Sequence, residues 1–248
     1  MIDALFASVI KRPYVFCFLA AYLFLAIRLW GIKKTFIWLV SGYAIAWLSE
    51  YSSINNGFPY GEYHYIYKNM PGELMIFGVP FFDSLSYPFL IFAGFTTASL
   101  ILNKGRLIFT IDSFSKAIKY ILLGAFLTTI LDIIIDPVAK LGSQWFLGEI
   151  YYYASDGWYF NVPMSNFAGW FLVSAAVVAF NVIVWKLTSS PVEKISSGFK
   201  YLYPSFYIAI GLFNICVTFW IGAIALGISS SVILLLIVMW VVYSTKAK

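Results

Sequence analysis

The chain has 248 residues, of which 62% are hydrophobic and only 11% charged, with a mean hydropathy of +0.86; a soluble domain carries about 25% charged residues. Water cannot solvate that much apolar surface, so a soluble globular fold is excluded and lipid is the expected solvent. The formal net charge of +5 comes from 16 Lys and Arg scattered among the connections, with no basic stripe that would point to nucleic acid.

A hydrocarbon core about 30 Å thick is crossed by about 20 helical residues, and seven apolar runs are candidates. The first is Pro13 to Trp30; no small-residue cleavage site follows it, so it reads as a retained span. The second, about Thr35 to Ser49, is short and ends on Glu50. The third runs from Leu85 to Leu102. The fourth covers about Ala117 to Ile135, with Asp132 in its last turn, and the fifth covers Phe167 to Leu187. The stretch Tyr203 to Tyr243 is too long for one crossing. Its predicted break is Gly227-Ile228-Ser229-Ser230-Ser231, a cluster of turn formers. The predicted fold is therefore all-α: one integral-membrane domain, a helical bundle of about seven spans.

Two connections are long, about 50–84 and 136–166. They are crowded with Tyr, Trp, Phe, Pro and Gly and read as ordered loops at the membrane interface. Cys17 and Cys216 sit in apolar runs, which argues against a disulfide framework or a metal site.

Charge counting sets the expected orientation. Arg28, Lys33, Lys34, Lys104, Arg106, Lys116, Lys119, Lys186, Lys194, Lys200, Lys246 and Lys248 fall on one side. Lys11, Arg12, Lys68 and Lys140 fall on the other. The predicted arrangement in the cell membrane has the N-terminus outside and the C-terminus inside, with both long connections outside.

Eight of the eleven acids lie in or beside those connections: Glu50, Glu62, Glu73, Asp83, Asp132, Asp136, Glu149 and Asp156. Asp132 and Asp136 are four apart and share a helix face. Pro137 is expected to end that helix at Asp136. Carboxylates there oppose the helix dipole and repel one another. The bland alternative is a solvated helix end. The chemical reading is a split pair, one carboxyl acting as acid and the other as anion. Glu50, Asp83 and Asn166 reach the same membrane face from three other spans. His64, the single histidine, reads as a surface residue, and no His/Asp/Glu cluster has metal-ligand spacing.

Three stretches carry a resemblance. Glu50 is followed by Asn56-Gly57-Phe58-Pro59-Tyr60-Gly61-Glu62-Tyr63-His64-Tyr65. Asp132-Ile133-Ile134-Ile135-Asp136-Pro137 has Trp145 downstream. Asn161-Val162-Pro163-Met164-Ser165-Asn166-Phe167-Ala168-Gly169-Trp170 forms the third, and Gly78-Val79-Pro80 also fits. Together they resemble the integral-membrane carotenoid biosynthesis family that includes the CruF-type carotenoid hydratases, over about Glu50 to Trp170.

The resemblance implies a hydro-lyase acting in the bilayer. It would add water across the terminal C=C of an acyclic carotenoid end (lycopene-like, γ-carotene-like or a C50 precursor), giving a tertiary alcohol. That chemistry needs an acid for carbon, a surround for the cation and metered water. The residues that could supply them are Asp132 as acid, Asp136 as its anionic partner and Glu50 as the rival acid. Trp145, Trp158, Trp170, Tyr60 and Tyr63 could offer ring faces, and Asn166 and Asp83 could contact substrate or water. No cofactor or metal is expected. The expected partners are the carotenoid, water and, as candidate neighbours, other carotenoid-pathway enzymes. A carotenoid or isoprenoid cyclase or isomerase would use the same protonation. A transporter or lipid-binding protein is the alternative of another class, although acids at one face rather than the midplane weigh against transport.

Overall fold

The computed structural model describes residues 2–107, 109, 113–188 and 199–246. Among these residues the helices are α1 (Ile2–Lys11), α2 (Pro13–Asn56), α3 (Phe81–Leu102), α4 (Phe114–Lys140), α5 (Met164–Leu187), α6 (Leu202–Trp220) and α7 (Ile224–Lys246). Six of them are long and apolar enough to cross a membrane; α1 is a short preceding helix.

The 44 residues of α2 do not form one rod. Gly31 leaves helical geometry at φ 76, ψ 170, a conformation that glycine adopts without steric cost. The Tyr22 hydroxyl donates to the Thr35 carbonyl at 3.2 Å, and the Trp30 and Trp38 rings lie 5.0 Å apart. In a straight helix, Tyr22 and Thr35 would be about 20 Å apart. The chain therefore reverses at Gly31, and α2 is a helical hairpin that supplies both the first and the second expected span. With α3 to α7 this makes seven crossing segments. The second half of α2 packs tightly on α3, where Trp38 donates its indole N–H to the Pro88 carbonyl at 2.9 Å.

The two ends of the bundle are distinct. Arg28 sits over the Phe199 ring at 4.4 Å, and Gly105 abuts Thr245, where a Cβ would lie 3.1 Å from the Thr245 Cα. These contacts gather the α2 hinge, the turn after α3, the approach to α6 and the tail of α7. The opposite end holds α1, the end of α2, the end of α4, the starts of α3 and α5, and both long connections. Lys194 and Lys248 of the charge count lie outside the described residues.

Two expected boundaries are corrected. The break in the last apolar stretch falls at Gly222, with φ 76, not at 227–231, which lie within α7. Gly227 instead lets α7 approach Phe219: a Cβ there would meet the ring at 2.7 Å. Ser229 and Ser231 return their hydroxyls to carbonyls one turn back, so small residues that resemble a turn serve helix packing. Second, α4 does not stop at Asp136. It runs through Pro137 to Lys140. Proline removes one N–H bond, but this close to the terminus the helix tolerates the loss. The last turn is also tied down by the Trp145 indole N–H, which donates to the Val138 carbonyl at 2.9 Å.

The long connections carry short strands: β1 (Tyr63–Tyr65), β2 (Met75–Ile76), β3 (Val79–Pro80) and β4 (Tyr151–Tyr153). β2 and β3 form a small hairpin leading into α3. β1 pairs antiparallel with β4, joining the two connections. A buried ion pair links them to the N-terminal region: Arg12 meets Glu73 at 2.8 Å and also donates to the Leu147 carbonyl.

Candidate active site

On α4, Asp132, Ile135, Asp136 and Ala139 follow at i, i+3, i+4 and i+7 and form one stripe. All four line a cavity of about 120 Å³. Its remaining walls are largely apolar and aromatic: Tyr14 and Phe18 from α2, Phe82 and Phe89 from α3, Trp170 from α5, Ile210 and Phe213 from α6, and Trp145 from the second connection. Asp132 is 2% exposed and Asp136 8%, so both carboxyl groups are withdrawn from bulk solvent.

Their hydrogen bonding differs. Asn166, in the first turn of α5, donates its side-chain N–H₂ to Asp132 Oδ2 at 2.8 Å and to Asp136 Oδ2 at 3.3 Å; the amide has two hydrogens to give. Among the described residues this is the one donor to Asp132. Asp136 also receives the hydroxyls of Tyr151 and of Tyr153, the latter at 2.7 Å. Burial, then the neighbouring carboxylate, pushes both phenols well above their usual pKa, so they stay protonated and remain donors.

The pairing of β1 with β4 explains where these tyrosines come from. Alternate strand residues face the same side, and the register sets Tyr63 opposite Tyr153 and Tyr65 opposite Tyr151. Four tyrosines thus face inward, while His64 and Tyr152 pair on the outer face with rings 5.4 Å apart. Tyr65 donates to Asp83 Oδ2 at 2.7 Å. Burial, then the Asp83 charge, pushes the Tyr65 phenol up. Asp83 lies in the first turn of α3, where the helix dipole favours a negative charge.

Beside the apolar cavity lies a smaller chamber of about 50 Å³, lined by Glu50, Tyr60, Tyr63, Tyr87, Tyr153 and Asn166 among others. Glu50 accepts the Ser84 hydroxyl there. Asp83, Asp136, Tyr151 and Trp170 line both spaces and form the wall between them. One water needs about 10–15 Å³ and two to four polar partners, so the chamber has room and chemistry for more than one. Asp132 faces the apolar cavity and Glu50 the chamber, while Asp136 touches both. Trp170 is held in the wall by stacking on Tyr87, with centroids 4.1 Å apart and planes within 2°.

Of the residues expected from sequence, Asp132, Asp136, Glu50, Asp83, Asn166, Trp145, Trp170, Tyr60 and Tyr63 converge here. Trp158 does not: the residue is 77% exposed, its ring packs edge-on to Tyr159, and it lines neither space. Sequence reasoning missed Tyr65, Tyr151, Tyr153, Ser84 and Tyr87. A usable signal was present in the Tyr-x-Tyr spacing found in both long connections, at 63–65 (repeated at 65–67) and at 151–153. Among the described residues no group of three or more His, Cys, Asp or Glu is arranged to hold a metal ion.

A family model described as carotenoid biosynthesis protein matches residues 12–241. No curated protein and no solved structure matches the chain. The family match covers nearly the whole sequence, including every residue of the two spaces, so the chain belongs to that family.

Proposed function

We propose that this member of the carotenoid biosynthesis protein family is a hydratase, adding water to the terminal C=C of an acyclic carotenoid end. The observation that carries the reading is the two-sided placement of the carboxyl groups. Asp132 faces a cavity suited to an oily group, and Asp136 stands in the wall shared with a chamber suited to water.

The assigned steps balance. Asp132, as the carboxylic acid, gives its proton to the less substituted carbon of the terminal (CH₃)₂C=CH– group. The π electrons form the new C–H bond and leave a tertiary cation. Trp170 and Trp145 line the cavity where the cation forms, and an aromatic face is worth about 0.5 to 2 kcal/mol to a cation. A water from the chamber forms the C–O bond, and its proton goes to Asp136. Proton return from the pair to Asp132 completes the cycle, so the net reaction is alkene plus water to tertiary alcohol. Asn166, which touches both carboxyl groups, keeps their spacing fixed while charge moves between them. Glu50, whose carboxylate is engaged by Ser84, is assigned to the chamber rather than to the alkene.

The chamber also favours water capture over the cyclase or isomerase outcome, in which the cation would lose a proton instead. Charge counting supports an orientation with the site on the outer face of the cell membrane. There a lipid-dissolved substrate and water can both arrive.

The test is expression in a bacterium that makes lycopene, with analysis of the extracted pigments. A hydroxylated acyclic carotenoid is the expected product. Unchanged lycopene would overturn the reading, and a cyclic or isomerised hydrocarbon would replace it with the proton-loss reaction.

A further inference from the structure

We infer that the substrate reaches Asp132 sideways from the lipid, through an aromatic gate formed by Tyr14, Phe146 and Phe213, which read the chain just behind the reacting end. This deepens the hydratase proposal and rests on it for the identity of the occupant.

Size is the first constraint. A cavity of about 120 Å³ is comparable to the ~150 Å³ apolar cavity that admits one benzene. It can take an isoprene-sized end and cannot enclose a carotenoid. The rest of the chain has to leave the protein, and an apolar polyene has to leave into lipid.

Burial shows where. Leu90 and Trp170 are buried; apart from Asp83, Ser86 and Tyr151, on the α3 and chamber side, the half-buried lining residues are Tyr14, Phe18, Phe213, Ile135 and Ala139. The cavity therefore thins toward the side where the first half of α2, α4 and α6 meet. At that side Tyr14 stacks on Phe213 with centroids 5.5 Å apart and planes 19° apart. Phe146 closes on Tyr14 edge-on at 5.6 Å and is itself 51% exposed. Ala139 lies at the end of α4 and Asp132 about two turns deeper along the same stripe, so the mouth sits near the membrane surface and the acid below it. Stacked rings held by dispersion can part and close on a flat conjugated chain, replacing ring–ring contacts with ring–polyene contacts.

The proposal is tested on purified full-length protein in liposomes, with lycopene as the probe. The variants are Phe213→Trp, Phe213→Ala and, as the control, Leu212→Trp, a bulky change at an exposed neighbour on the same helix. Two readouts are taken: lycopene retained by the protein, and turnover. Phe213→Trp should raise KM about tenfold with kcat within about twofold, the pattern of lost uniform binding. It should lower retained lycopene in parallel. Phe213→Ala, which removes the ring that stacks on Tyr14, should likewise raise KM for lycopene and lower the lycopene retained. Leu212→Trp should match wild type in both readouts. If Phe213→Trp and Leu212→Trp behave alike while both proteins melt as wild type does, the gate is wrong. If wild type retains lycopene in a Phe213-dependent way but yields no alcohol, the gate stands and the hydratase reading falls.

Discussion

Asn166 donates its side-chain N–H₂ to Asp132 at 2.8 Å, linking the first turn of one span to the last turns of another. The same amide lies 3.3 Å from Asp136, so it sets the spacing of the carboxyl pair. Asn166→Ala removes both bonds without adding charge. Hydrogen bonds to charged groups are worth about 1.5–3 kcal/mol, so turnover should fall about ten- to hundredfold, with retained lycopene close to wild type. Steady-state kinetics and pigment retention on the same preparation check both halves of this statement.

Tyr151 and Tyr153 offer a second probe. Each donates to Asp136, and burial keeps each phenol protonated. Tyr153→Phe deletes one donor and leaves the ring. The expected loss is about ten- to hundredfold in kcat, since a hydrogen bond to a charged group is worth about 1.5–3 kcal/mol and each 1.4 kcal/mol is a factor of about ten. KM should barely change. The double change of Tyr151 and Tyr153 to Phe should cost more than either change alone.

The rival acids can be separated by matched substitutions. Asp132 faces the apolar cavity and Glu50 the chamber. General-acid groups contribute about 10²–10⁴-fold, so Asp132→Asn should lose that much activity while Glu50→Gln keeps at least about a tenth of it. The reverse ranking in a single-turnover assay would make Glu50 the acid.

Much of this site is legible in the sequence, and the part that is not has a common cause. Hydropathy alone locates the crossings, because lipid leaves a span little choice but a helix. The spacing of Asp132 and Asp136 by itself puts both on one helical face. Ser84 beneath Glu50 and the four inward tyrosines depend on pairing between segments far apart in the chain, which no local pattern encodes. Tyr63 opposite Tyr153 is such a case. Pro137 and Gly227 misled for a related reason. Their local preference is to end a helix, but the Trp145 bond at one site and close packing on Phe219 at the other override it.

Stability makes its own prediction at the buried pair of Arg12 and Glu73, 2.8 Å apart. Removing one member strands a buried charge and typically costs about 3–5 kcal/mol. Arg12→Met should lower the melting temperature of the purified protein clearly, and Glu73→Gln should do the same. Combining Arg12→Met with Glu73→Met should recover much of the loss, because neither charge is then left alone.

The most direct measurement is isotopic. Liposomes carrying the protein and lycopene are incubated in H₂¹⁸O, and the pigments are extracted for mass spectrometry. The account predicts a tertiary alcohol with one ¹⁸O for each hydrated end, formed by wild type and lost in Asp132→Asn. Lycopene recovered without ¹⁸O, or converted only to a hydrocarbon of the same mass, would contradict it.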